Sequence, residues 1–235
     1  MAGFVRMLLG VALLPFCWGV ARSFVDAVCV SAGSGGAFSA ETLSLLGGIA
    51  AFALSWAAIS HPVRAYVLGH ELTHALWGLL FGARPSDVRV SSSGGSVRLT
   101  KTNFVITLAP YFFPFYTFVV IVAALVTYAF LRPLPYLPLW LFLIGFTWAF
   151  HVLFTLETLT QRQPDVKLYG RIFSWTFIFI VNVAIVLLWL VAATPLTFAD
   201  LGGILVHRII SAYVGVGAFF VECWRIAARA THLKS

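Results

Sequence analysis

The feature that most constrains this chain is a succession of long apolar stretches with almost no charge in them. Of its 235 residues, 61% are hydrophobic and only 10% are charged, against about 45–50% and 25% in an ordinary soluble domain. A soluble protein of this size could not bury so much apolar surface, which excludes a soluble enzyme, a disordered chain and a free-standing nucleic-acid binder. We therefore predict an integral multi-pass membrane protein, with the lipid bilayer and not nucleic acid as its surroundings.

Seven segments come close to the length of about 20 apolar residues that a spanning helix needs. They are residues 4–20, 43–60, 62–81, 104–130, 139–159, 168–191 and 201–224. The last carries His207, Arg208 and Glu222, so it is either a seventh span or an amphipathic helix on the membrane surface. The predicted fold class is an all-α polytopic membrane protein with about six to seven transmembrane helices, forming a single membrane domain over residues 1–235.

Two stretches between these segments differ from the rest. Residues 23–40 are rich in Gly and Ser, which predicts a loop. Residues 83–101 form the only long polar stretch, and within it Val88, Val90, Val97 and Leu99 alternate with polar residues. This alternation predicts a small β-hairpin, over residues 84–101, associated with the membrane and following the third apolar helix.

The positive charges are distributed unevenly between the apolar segments. If the N-terminus lies outside, eleven of the fifteen Lys and Arg residues face the cytoplasm. These are Arg22, Arg84, Arg89, Arg98, Lys101, Arg162, Lys167, Arg171, Arg225, Arg229 and Lys234. The positive-inside rule therefore predicts an external N-terminus and a cytoplasmic tail, and it explains the net charge of +7 without nucleic acid. We expect the membrane to be a cell membrane, the inner one in a bacterium.

The motif that indicates chemistry is His70-Glu71-Leu72-Thr73-His74, an H-E-x-x-H sequence within an apolar helix. Histidines four residues apart project from one helix face, so both imidazoles can bind one Zn²⁺. Glu71 is then placed to act as general base on a zinc-bound water and to pass the proton to the leaving amine. Three ionisable residues in an apolar helix also need a compensating partner, and a metal supplies one.

A catalytic zinc site usually has a third protein ligand, for which we rank three candidates. Asp165 is first, because it follows Pro164 where the sixth span is expected to begin. His151 is second, as a ligand or as a residue that orients the water or the third ligand, and Glu157 is third. Asn182 could bind a substrate backbone. The structural alternatives are a helix N-cap for Asp165, a hydrogen-bonded core residue for His151 and an interhelical hydrogen bond for Asn182.

These residues, taken in order, resemble the site-2 protease family of intramembrane zinc metalloproteases. The H-E-x-x-H helix is followed by a short polar β segment containing Gly94-Gly95, a span that begins with Leu108-Ala109-Pro110, and Pro164-Asp165 about ninety residues beyond the motif. The resemblance covers about half the chain, and it indicates a divergent member without a PDZ module. It implies a catalytic core over residues 62–191, Asp165 as the third zinc ligand and a transmembrane protein as substrate.

The sequence therefore predicts a zinc metalloendopeptidase that hydrolyses a peptide bond in or near a transmembrane helix, with the active site toward the cytoplasm. The hairpin could hold an unwound substrate segment by strand addition. The alternatives are a membrane metalloprotease that cuts soluble peptides or prenylated tails with Glu157 as third ligand, a transporter or proton pathway, and a non-catalytic helix-binding scaffold with a metal site. The substrate, the cleavage position, partner proteins and the oligomeric state stay open.

Overall fold

A computed structural model of the chain describes residues 2–33, 39–58, 61–91, 94–161 and 163–232. Helices dominate this part of the chain, together with one two-stranded sheet. In order the elements are α1 (Ala2–Ala12), α2 (Leu14–Gly33), α3 (Ala40–Ala58), α4 (Val63–Leu80), β1 (Pro85–Ser91), β2 (Gly94–Leu99), α5 (Phe104–Leu108), a 3-10 turn (Ala109–Tyr111), α6 (Phe115–Phe130), α7 (Leu137–Thr160), α8 (Pro164–Tyr169), α9 (Arg171–Ala193) and α10 (Phe198–His232).

The contacts divide the chain into two compact units. A terminal unit comprises Met1–Gly36 and Gly170–Ser235, and a central unit comprises Ala37–Tyr169. The predicted metal ligands His70, His74 and Asp165 all belong to the central unit. The organisation of residues 1–235 as one membrane domain stays a prediction, as does the core over residues 62–191.

Five helical segments of the described chain are long and apolar enough to cross a membrane, and a sixth results if one bent pair counts as a span. They are Gly3–Gly33, Ala40–Ala58, Leu137–Thr160, Arg171–Ala192 and Phe198–Arg229, with the pair Phe104–Tyr111 and Phe115–Phe130 as the sixth. This confirms a helical chain with several candidate spans and one small hairpin. The helix expected at residues 62–81 forms as α4, but α4 is not in this set because its charged and histidine side chains lower its hydropathy.

Three details of the predicted span pattern are wrong. Residues 23–33 are not a loop, because α2 continues to Gly33; glycine and serine are common in membrane helices and do not break them. The fourth span is not one helix, since α5 and α6 meet at a bend of 82° in a stretch that contains Pro110 and Pro114. The sixth span does not begin at residue 168, because Gly170, with φ of +89°, separates α8 from α9.

Some of the predicted positions lie outside the described residues. These are Ser60 at the end of the second predicted span, Ser92 and Ser93 at the tip of the hairpin, and Arg162 and Lys234 in the charge count. Residues 34–38 of the predicted loop lie outside them as well. The predicted orientation rests on the charge distribution alone and stays a prediction.

In the terminal unit, α2 packs against α9 and α10. Val20 and Ala27 of α2 form a buried cluster with Leu187 of α9 and Leu201 of α10. An ion pair joins α2 and α10. The Arg208 guanidinium of α10 donates two hydrogen bonds to the Asp26 carboxylate of α2, one of them 3.0 Å long. Such pairing is expected for charges in membrane-spanning segments, where an isolated charge is costly.

In the central unit, α3 and α7 pack closely through glycines. A Cβ added at Gly48 of α3 would overlap the Phe142 carbonyl oxygen of α7, and one at Gly145 of α7 would overlap the Leu45 carbonyl oxygen of α3. Small residues that let two backbones approach are the usual means of helix association in membranes. The close packing against α3 fixes the position of α7, whose last turns line the cavity of the candidate site.

The predicted hairpin is confirmed. β1 and β2 pair antiparallel, from Pro85 opposite Leu99 to Ser91 opposite Gly94. The register is irregular between Ser86 and Arg89, where Asp87 has φ of +53°. Both strands pack against α4, so the hairpin lies alongside the H-E-x-x-H helix.

Candidate metal centre

Two helices of the central unit bring the three predicted ligands together. His70 and His74 lie one turn apart on α4, and Asp165 is the second residue of α8, just after Pro164. The Nε2 atoms of His70 and His74 are each 3.6 Å from Oδ2 of Asp165. One ligand atom from each residue lies within 4.8 Å of the other two, so the group could hold a metal ion.

The spacing of these donor atoms fits a common ion. Zinc–nitrogen and zinc–oxygen bonds of about 2.0–2.2 Å in a tetrahedron place neighbouring donor atoms about 3.4 Å apart. The observed 3.6 Å between each imidazole nitrogen and the carboxylate oxygen is close to that value. The donor set also fits, because two imidazoles and one carboxylate leave a fourth tetrahedral position open.

Hydrogen bonds fix the imidazoles in the form that a metal requires. Nδ1 of His74 lies 2.9 Å from the carbonyl oxygen of Ile106. A carbonyl can only accept, so Nδ1 carries a proton, and Nε2 is the ring nitrogen left available to a metal. Nδ1 of His70 has a longer contact of 3.4 Å with the Tyr66 hydroxyl. Both ligands therefore have outer partners of the kind that orient metal-bound histidines.

The backbone around Ile106 is held in turn by a helix cap. The Asn103 side-chain oxygen accepts a hydrogen bond of 2.9 Å from the Ile106 amide and so caps the start of α5. A cap of this kind fixes the first turn of the helix. It thereby fixes the position of the carbonyl that accepts from His74.

Asp165 is held by a buried tyrosine. Tyr111, which is fully buried, donates a hydrogen bond of 3.2 Å from its hydroxyl to Oδ2 of Asp165. Asp165 lies in α8, outside the candidate spans. Burial alone would raise the pKa of the Asp165 carboxyl, but its interactions with His70 and His74 hold that pKa well below its ordinary value. The carboxylate is therefore ionised and suited to bind a cation.

Glu71 lies beside the three-residue group and is covered by the hairpin. The residue is 6% exposed and lines the same cavity as the candidate ligands. A Cβ added at Gly95 of β2 would come within 2.7 Å of Glu71 Cγ and 2.8 Å of its Oε1. The strand backbone therefore lies directly against the Glu71 side chain, and glycine at this position makes the approach feasible.

The residues open onto a cavity of about 880 Å³ within the central unit. Its wall contains the inward face of α4, the end of α7, the start of α8 and most of β2. Thr102, Thr107, Thr158, Gln161 and Gln163 add polar groups to the wall. A space of this size, with apolar surface and a few convergent polar groups, is typical of a ligand-binding site.

The other residues singled out in the sequence lie elsewhere. His151 is buried on α7 and lines a second, small cavity together with His70, and it is not a member of the three-residue group. Glu157 lines the large cavity but contacts His61 instead of the candidate ligands. Asn182 lies on α9 in the terminal unit, where its amide donates to the Ile178 carbonyl of the same helix. Its predicted role in substrate binding stays a prediction.

Sequence reasoning missed Tyr66 and Tyr111, the two tyrosines that contact candidate ligands. Tyr66 precedes His70 by four residues and so lies on the same helix face. That spacing in the sequence could have identified Tyr66 as a neighbour of His70. Tyr111 follows Ala109-Pro110 in a bend, and its approach to Asp165 depends on how that bend folds.

Comparison of the chain with protein-family models, with curated proteins and with solved structures gives no match.

Proposed function

We propose that this chain is an intramembrane zinc metalloprotease of the site-2 protease type. The observation that carries the proposal is the convergence of His70, His74 and Asp165 beside Glu71 at one cavity, in a chain with five to six candidate membrane spans. Two imidazoles, one carboxylate and a neighbouring glutamate are the parts that metal-assisted peptide hydrolysis requires.

Zinc is the metal we propose for His70, His74 and Asp165, because a mixed nitrogen and oxygen donor set with one open position is typical of catalytic zinc. When bound, Zn²⁺ supplies Lewis-acid polarisation of the scissile carbonyl and makes a water more acidic. The hydrogen bonds from His74 to Ile106 and from Tyr111 to Asp165 keep the donor atoms aimed at a single point.

Glu71 is the proposed general base. It follows the first histidine directly, lines the cavity, and is not among the three grouped ligands. Its carboxylate takes a proton from the attacking water and passes it to the nitrogen of the leaving amine, which breaks the C–N bond. Residues in this role contribute about 10²–10⁴-fold to the rate.

The proposed substrate is a segment of another membrane protein, in or near its transmembrane helix. A helix in lipid has all of its backbone hydrogen bonds satisfied internally, so it must unwind before a peptide bond is accessible. β2 pairs with β1 along one edge, and Gly94, Gly95 and Ser96 of β2 line the cavity. An unwound segment could add to the other edge of β2 and lie next to Glu71.

The proposed location is a cell membrane, the inner one in a bacterium, with the cavity toward the cytoplasm. The support for this orientation is the excess of Lys and Arg on one set of loops. Cleavage at that face would release a fragment from the membrane.

The proposal is tested by metal content and cleavage measured on the same detergent-purified preparations. The probe is a synthetic library of apolar segments of about 20 residues with randomised central positions, and products are detected by mass spectrometry. We expect about one zinc per chain and cleavage for the wild type, zinc without cleavage for Glu71→Gln, and neither for His70→Ala.

Other outcomes of this experiment contradict the proposal. A folded protein that stays free of zinc after reloading would refute the metal assignment. Full cleavage by Glu71→Gln would refute the role of Glu71. Zinc binding by the wild type with no product from the library, in detergent or in vesicles, would favour a scaffold or a transporter.

A further inference from the structure

Glu157 is an acidic residue of the cavity that neither the candidate metal centre nor the proposed proton transfer uses. It lies on the last turn of α7, three residues before the helix ends at Thr160. Its side chain is 41% exposed and contributes to the cavity wall. The adjacent Thr158 interacts with the hydroxyl of Tyr66, which in turn contacts His70. Glu157 is therefore next in sequence to a residue that connects through Tyr66 to the candidate ligand His70.

The side chain of Glu157 has one charged-group contact among the described residues, a long one to His61. Oε2 of Glu157 is 3.7 Å from Nδ1 of His61, beyond hydrogen-bond length. His61 is stacked on Trp56 at 3.6 Å, and its Nε2 lies 3.2 Å from the Trp56 carbonyl oxygen. Since a carbonyl only accepts, Nε2 of His61 carries a proton and is engaged with Trp56, not with Glu157.

The wall of the cavity is rich in carboxylates. The described lining residues include three carboxylates, those of Glu71, Glu157 and Asp165, and neither lysine nor arginine. This contrasts with the chain as a whole, which has a net charge of +7. A bound divalent cation would offset the charge of Glu71 and Asp165, and Glu157 is not among its three candidate ligands. The cavity mouth near Glu157 therefore favours a cationic group.

We propose that Glu157 is a specificity-determining residue that binds a lysine or arginine flanking the apolar segment of the substrate. This inference rests on the proposed function, because it assigns a substrate class to the same cavity. Glu157 lies about 4.5 Å along the helix axis from the end of a candidate span. Lys and Arg are concentrated at the cytoplasmic ends of membrane helices, and their long side chains extend toward the interface.

The test compares three fluorescent probe peptides that share one apolar segment and differ only in their flanks. The flanks are two lysines, two glutamines or two glutamates. Binding is measured by fluorescence anisotropy in micelles of neutral detergent, on the zinc-loaded Glu71→Gln protein, so that no turnover is needed. The same background then receives Glu157→Gln, Glu157→Lys or, as a matched control, Glu41→Gln. Glu41 carries the same charge in the same unit, in the first turn of α3, and does not line the cavity.

We expect the lysine-flanked peptide to bind about fivefold more tightly than the glutamine-flanked one, as one partly exposed ion pair provides. Glu157→Gln should bring the three peptides to near-equal affinity, Glu157→Lys should favour the glutamate-flanked peptide, and Glu41→Gln should leave the preference intact. An unchanged preference in both Glu157 variants would overturn the proposal, as would a uniform loss of affinity for all three peptides. Zinc content and the thermal unfolding midpoint verify that each variant is folded.

The two proposals fail in distinguishable ways. A charge preference that depends on Glu157, found together with no cleavage of the library by the wild type, would keep the recognition role and reject the protease. Cleavage that depends on Glu71, found together with no charge preference among the peptides, would keep the protease and reject the recognition role of Glu157.

Discussion

Gly95→Ala should impair catalysis while leaving the metal centre intact. Gly95 has an ordinary backbone conformation, so alanine introduces no strain there beyond its added carbon. That carbon would lie 2.7 Å from Cγ of Glu71 and 2.7 Å from Cγ1 of Val67, whereas ordinary contact begins at 3.4 Å. The strand or the Glu71 side chain must therefore move by about 0.7 Å. Since a misplacement of about 1 Å can cost 10²-fold, we expect kcat/KM to fall by about 10- to 100-fold.

The assay uses the peptide from the library that the wild type cleaves best, with zinc content measured on the same preparation. We expect one zinc per chain in the variant, because the added carbon meets the base and not the ligands. Gly47→Ala is the control, since its Cβ would make only an ordinary 3.9 Å contact with Phe142. Adding Val67→Ala to Gly95→Ala should restore part of the activity by relieving one of the two contacts. Wild-type activity for Gly95→Ala, or loss of its zinc, would refute this reasoning.

Three further predictions concern the metal centre and the packing of each unit. Tyr111→Phe removes the hydroxyl that donates to the carboxylate ligand, so zinc affinity measured by competition with a chelator should fall about 10- to 100-fold; an unchanged affinity would show that the hydrogen bond does not matter. Gly145→Ala should lower the thermal unfolding midpoint in detergent by several degrees, whereas Gly47→Ala should not, because only the former overlaps a backbone carbonyl. Asp26→Asn should lower the same midpoint by leaving Arg208 without its ionic partner, and equal stability would contradict a structural role for that pair.

The parts of this structure that follow from short-range periodicity could be predicted from the sequence. Hydropathy identified α3, α7 and α9 to within three residues at each end, and located α10 although that helix ends eight residues later than predicted. The alternation around Val88 and Val97 identified the hairpin. The spacing of His70 and His74 fixed two ligands on one face of α4. Each of these predictions uses a repeat that lies within one element.

The parts that depend on how distant segments meet could not be predicted in the same way. Depth along a span made His151 a contender for third ligand, but the short helix α8 brings Asp165 to the two histidines instead. The bend that brings Tyr111 to Asp165 arises from prolines. Prolines in a sequence predict that a helix breaks, but they do not predict the direction in which the chain then turns. The glycine and serine content of residues 23–33 indicated a loop, although in a membrane the same residues are compatible with a helix.

The candidate metal centre lies beside irregular backbone segments of the central unit. α4 is the helix of the central unit that holds the most ionisable groups, and its neighbours are a hairpin, the bent α5–α6 pair and the short α8. In lipid, irregular backbone is tolerated only where protein covers it or a cavity adjoins it, because its polar groups need partners. Here the carbonyl of Ile106 accepts from His74, and the strand at Gly95 lies against Glu71. The carbonyl in the irregular segment thus finds its partner on the polar helix, and the glycine strand covers the Glu71 side chain of that same helix.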